Sequence, residues 1–150
     1  MASPLKVHIT PPDFGWLNMT LKTENEEVFI TTSAVYDPYP DMLAWLESIA
    51  TGDDDTLTIN DETEDFYLKT VSLDEDQIYF SVSAQFQTPQ QKLGLAVNRF
   101  NLVSEFYNAF STYAGSEEFI EHWLEFLGLD DQIISNYRSD KLEQYLAKKN

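Results

Sequence analysis

The hydrophobic residues change their period near residue 87, and that change limits the fold more than any other feature. Up to Phe86 apolar side chains recur every second residue, and beyond Thr88 they recur every third or fourth. A period of two puts alternate side chains on opposite faces of a strand, whereas a period near 3.6 gathers them on one stripe of a helix. Strands followed by helices in one chain mean an α+β protein.

The alternation is cleanest in "QIYFSVSAQF", where Ile78, Phe80, Val82, Ala84 and Phe86 share one face opposite Gln77, Ser81, Ser83 and Gln85. Leu5, Val7 and Ile9 alternate with Lys6, His8 and Thr10, a strand expected to end at Pro11 and Pro12. Leu17, Met19 and Leu21 form a second strand and "VFITTSAV" a third, with "TENEE" as the turn between them. "TLTIN", "FYLKTVSL" and the run ending at Phe86 complete a mainly antiparallel sheet of about six strands.

One helix is inserted among these strands, in "YDPYPDMLAWLESIATGDDD". Pro40 suits a first helical turn, and Tyr39 before it is biased toward extended backbone. Asp41 lies at the positive end of the helix dipole. Met42, Trp45, Leu46 and Ile49 share a face, and Gly52 supplies a left-handed stop.

After the sheet, Pro89 is expected to open a long helix whose stripe includes Leu93, Ala96, Val97, Phe100, Val103, Phe106, Tyr107, Phe110 and Ala114. A second helix carries Phe119, Ile120, Trp123, Leu124 and Leu127, and a last one Tyr137, Leu142, Tyr145 and Leu146. At 150 residues, with 43% hydrophobic and 14% aromatic side chains, the chain suits one domain with a real core: sheet-rich over 1–87 and helical over 88–150. Should one flank of the long helix stay exposed, it becomes a seam for a homodimer.

Charge is the strongest signal about partners. The chain carries 26 acidic against 9 basic residues, a formal net charge of −17. That field repels phosphate backbones and anionic headgroups, so neither nucleic acid nor a membrane is an expected partner; a basic protein is. No apolar stretch approaches the roughly 18 residues of a membrane span. "MASPLKVHIT" lacks the features of a signal peptide, and there is no cysteine, so a cytoplasmic protein is expected.

The acidic residues gather in turns. Glu24, Glu26 and Glu27 follow the second strand, Asp53, Asp54 and Asp55 follow the inserted helix, and Asp74, Glu75 and Asp76 join the last two strands. If the helix made a crossover between parallel strands, all three clusters would share one end of the sheet as a negative rim, a partner-binding surface. Asp61, Glu62, Glu64 and Asp65 would then lie at the other end. With antiparallel flanking strands the first cluster moves away. The plainer alternative is that turns favour Asp and strand edges need charge.

Sets that carry catalysis are thin. The histidines are His8 and His122, the arginines Arg99 and Arg138, and glycine occurs 5 times. No nucleophile elbow, P-loop or dinucleotide fingerprint is present. Glu118, His122 and Glu125 share one helical face at a metal-like spacing, but that face lies opposite the apolar stripe and reads as solvated. No cofactor and no metal are expected. Phe14 and Trp16 in "PPDFGW" either staple a loop to the core or form an interaction patch, and the staple is favoured.

The strand "EEVFITTSAV", the helix start "YDPYPDMLAWLESI" and the acidic-turned strands "TLTINDETEDFYLKTVSLDEDQIYFSVS" resemble those of small bacterial immunity proteins, antidotes to polymorphic or contact-dependent toxins. The resemblance covers the first half of the chain. It implies an acidic α+β binding protein that neutralises a basic toxin without chemistry of its own. The rival readings are a scaffold subunit assembling through the helical half, and an enzyme working through carboxylates alone.

Overall fold

The computed structural model describes residues 4–13, 16–33, 39–60, 65–85, 89–114 and 138–148. Three strands, β1 (Lys6–Asp13), β2 (Trp16–Lys22) and β3 (Glu27–Ser33), form one antiparallel sheet in the order β1-β2-β3. Helix α1 (Tyr39–Ala50) leads to a second antiparallel sheet. It consists of β4 (Thr56–Asn60), β5 (Asp65–Ser72), β6 (Gln77–Gln85) and β7 (Pro89–Asn98), ordered as in sequence. Helix α2 (Arg99–Ala114) follows β7 directly, and α3 (Asp140–Ala147) comes last.

The α+β class stands, and its detail is corrected. There are two sheets rather than one, and seven strands among the described residues. β3 and β4 belong to different sheets, so α1 makes no parallel crossover. The first strand continues through both prolines to Asp13, with an irregular register after Thr10. β1 is an edge strand, and its register with β2 slips between Thr10 and Asp13, so the two prolines fall where the ladder is already interrupted.

The largest correction concerns Pro89, which opens a strand and not a helix. "LGLAV" satisfies both periods, and a short apolar run of that kind does not decide between them. The free edge of β6 decides: Val82 pairs with Leu93, Phe80 with Leu95 and Ile78 with Val97, while Lys92 is the extra residue of a bulge. The helix begins only where the Asn98 side chain caps it, accepting from the Asn101 N–H at 3.1 Å.

Cross-strand rows explain why each sheet buries one face. Ile9–Met19–Ile30 and Val7–Leu21–Val28 run across the first sheet. Leu57–Leu68–Val82–Leu93 and Thr70–Phe80–Leu95 run across the second. Between them, Phe106 of α2 meets Trp45 of α1 and Phe80 of β6 edge to face, centred 5.3 Å from the first and 5.8 Å from the second. Tyr39 stacks on Phe110 at 4.3 Å, tying the start of α1 to α2. These aromatic side chains belong to one continuous hydrophobic cluster that also takes in Leu142 of α3.

α1 ends as its sequence requires. Gly52 has φ 100°, the Asp53 N–H reaches the Ser48 carbonyl and the Gly52 N–H that of Ile49, a Schellman stop. Ser139 caps α3 by accepting from Leu142 N–H at 3.2 Å, donates its hydroxyl to Glu47 at 2.8 Å, and gives its N–H to the Tyr107 phenol. Burial pushes the Tyr107 phenol above its ordinary pKa.

Candidate functional site: an acidic sheet end

Two hairpins fix the geometry of the acidic turns. β4 starts, β5 ends and β6 starts at the same end of the second sheet, so Asp53–Asp55 and Asp74–Asp76 come together there. Asp54 Oδ1 accepts from both the N–H and the hydroxyl of Ser72, each at 2.7 Å, extending the ladder where β4 has not yet begun. Asp55 accepts from Thr56 N–H through its side chain, while its carbonyl takes the Thr70 N–H and the Trp45 indole.

The β5–β6 turn is ordered by Asp74. Its Oδ1 accepts from the N–H of Asp76 at 2.8 Å and of Gln77 at 2.9 Å. Those two bonds, with the Arg99 charge nearby, hold the Asp74 carboxyl below the usual carboxylate range. All six side chains at this end are exposed.

Glu24, Glu26 and Glu27 sit elsewhere. Their β2–β3 turn lies beside the free edge of β7, where Glu26 accepts the Gly94 N–H at 3.3 Å. Gly94 is four residues short of Asn98, about 13 Å along the strand from the Asp74–Asp76 turn. The structure therefore brings together two of the three clusters and leaves the third along the sheet edge. Asp65 is half-buried and takes a hydrogen bond from Asn60. Asp61, Glu62 and Glu64 lie outside the described residues, as do Phe14 and the Glu118, His122 and Glu125 set.

Arg99 is the positive group behind the acidic end, and nothing in the sequence singled it out. It is only 7% exposed, and its guanidinium donates to the Ile49 carbonyl (2.8 Å), the Ser72 hydroxyl (3.1 Å) and the Glu75 carbonyl (3.3 Å). Its backbone N–H reaches the Asp76 carbonyl at 2.7 Å. The cation thus offsets the negative end of α1, which has no basic residue in its last turn. Every donor named points at a carbonyl or hydroxyl, so none is used on a carboxylate. Among the described residues, ion pairs join Lys6 to Glu105 and Arg138 to Glu143, and none of the nine predicted carboxylates takes part in either.

Three apolar side chains also stand at this end. Val71 pairs with Tyr79 on the outer face of the sheet, and Leu73 follows two residues on; they are 42%, 37% and 57% exposed. Their signal was available: Val71 and Leu73 fall on the polar phase of the β5 alternation.

A groove of about 260 Å³ lies behind the turn, lined by Thr51, Gly52, Asp76, Arg99, Phe100 and Tyr145. Small-molecule sites usually run from ~300 Å³ upward. Burial raises the Tyr145 pKa. Among the described residues no three His, Asp or Glu side chains are placed to hold a metal ion, and no helix is long and apolar enough to cross a membrane. No known family, no curated protein and no solved structure matches this chain.

Proposed function

We propose that the protein is a non-catalytic, cytoplasmic binding protein whose acidic sheet end docks a basic protein partner, such as a toxin it neutralises. The observation that carries this reading is the convergence of Asp53–Asp55 and Asp74–Asp76 on one end, with Arg99 behind them turned onto the Ile49 and Glu75 carbonyls and the Ser72 hydroxyl. Six exposed carboxylates, none of them in an ion pair among the described residues, project a field that steers a lysine- or arginine-rich surface toward them. The net charge of −17 supports the same partner and disfavours nucleic acid or a lipid surface. A scaffold role through the helices draws less support, because the apolar residues of α2 from Leu102 to Phe110 are used in the core.

The test compares two charge reversals of equal size. Glu75→Lys with Asp76→Lys alters the acidic end; Glu24→Lys with Glu27→Lys alters the distant turn. Association with an oligolysine probe, followed by stopped flow over a range of salt, should slow and lose salt dependence far more for the first pair. Equal effects of the two pairs would mean that net charge, and not this surface, recruits the probe.

A further inference from the structure

We infer that Val71, Leu73 and Tyr79 form an apolar seat, rimmed by Asp74–Asp76, for an aliphatic or aromatic side chain carried on a lysine- or arginine-rich segment of a partner protein. This inference rests on the proposed docking function and adds the anchor that charge alone lacks.

Among the described residues four large apolar side chains are exposed: Phe29, Val71, Leu73 and Tyr79. Three of them adjoin one another on one outer face. Val71 and Tyr79 are directly opposed across β5 and β6, and Ala96 opposes Tyr79 on β7. Leu73 hydrogen bonds to Gln77 through its backbone, which closes the hairpin with the side chain in phase with Val71. Exposed apolar groups scattered singly need no explanation, but an adjoining set rimmed by charge has the layout of an interface centre.

The surface is formed in advance. The Tyr79 phenol lies over Gly94, in the space a Cβ would occupy. The rim then selects the occupant. Asp74–Asp76 follow Leu73 directly in the chain and are exposed, so the side of the seat facing the sheet end is anionic. Lys69, two residues before Val71, lies on the side of the seat away from the turn. A basic segment would therefore lie with its cations toward the turn and its apolar residue on Leu73 and Tyr79. A second copy of this chain would bring like charges face to face across a two-fold axis, and an anionic membrane would be repelled.

The test uses two peptides of the same length and lysine content that differ at one central position, leucine or serine. Titration followed by calorimetry and amide shifts should give the leucine peptide about tenfold higher affinity, since a buried leucine contributes that much or more. Shifts should centre on Val71, Leu73 and Tyr79. Leu73→Ser should bring the leucine peptide down to the affinity of the serine peptide without changing the latter; Val71→Thr serves if Leu73→Ser folds poorly. Equal binding of both peptides to the unaltered protein overturns the seat while leaving acidic docking intact, and binding of neither overturns both. Sedimentation that shows a dimer abolished by Leu73→Ser would assign the seat to a second copy and overturn the inference.

Discussion

Asp54 Oδ1 stands 2.7 Å from both the backbone nitrogen and the hydroxyl oxygen of Ser72, and so fastens the acidic tract after α1 to the end of β5. Ser72 also accepts from Arg99, whose guanidinium reaches the last turn of α1. The carboxylates of the proposed surface are therefore part of the scaffold that holds them. Asp54→Ala should lower unfolding free energy by about 1 kcal/mol, the usual net worth of such bonds at an exposed site, and Asp54→Asn should lower it less because an acceptor remains. Urea denaturation of the two variants checks the order.

Arg99 has a larger effect on stability. Replacing it with methionine preserves much of the apolar stem but leaves the Ile49 carbonyl, the Glu75 carbonyl and the Ser72 hydroxyl short of a donor. A loss of about 2–4 kcal/mol is expected, since buried groups left unsatisfied dominate such deletions. Arg99→Lys should recover only part of it, because one ammonium cannot meet three separated acceptors as a planar guanidinium does. Thermal unfolding of both variants gives the comparison.

The acid limb of the stability profile follows from Asp74. Its carboxyl is held below the ordinary value chiefly by the N–H groups of Asp76 and Gln77, with Arg99 contributing. A depressed folded-state pKa gives stability that is present above the unfolded value and is lost as pH falls through the folded one. Stability should therefore fall as pH drops below about 4, and Asp74→Ala should flatten that limb. Tyr107 and Tyr145 act at the other limb. Both are raised by burial, so their contribution is complete below pH 10 and disappears as pH rises beyond it. Denaturation series at acid and alkaline pH measure the two slopes separately.

Gly52 tests the stop of α1. Nothing stands within 4 Å of a Cβ built there, so Gly52→Ala meets no clash. Its φ of 100° nevertheless lies where side-chain-bearing residues are strained, and a loss of about 1–2 kcal/mol is expected. A loss near zero in chemical denaturation would show the stop relaxing without its left-handed residue.

Much of this architecture was legible in the sequence because it is local. Alternation located β2 to β6, and Pro40, the Met42–Ile49 stripe and Gly52 bounded α1. The adjacency of Asp53–Asp55 and Asp74–Asp76 was also implied, since two successive hairpins put both tracts at one end. The rest depends on distant partners. "LGLAV" became a strand because β6 offered an edge, β3 and β4 separated into two sheets, and Glu24–Glu27 moved with the first of them. Arg99 gave no signal, because its acceptors lie up to fifty residues away.

Gly94 joins the sheet edge to the proposed seat, and its substitution separates packing from stability. A Cβ at this position would run into the Tyr79 phenol and approach the Gln91 side-chain nitrogen at 2.7 Å. Both are far ends of side chains that can swing, and alanine suits a strand interior better than glycine does. Gly94→Ala should therefore change unfolding free energy by less than about 1 kcal/mol while displacing the Tyr79 ring. Tyr79 ring resonances should shift, and the leucine-bearing basic peptide should lose affinity while the serine-bearing one keeps it. An unmoved ring with a large loss of stability would instead place the rigid element in the β7 backbone, where Glu26 holds the Gly94 N–H.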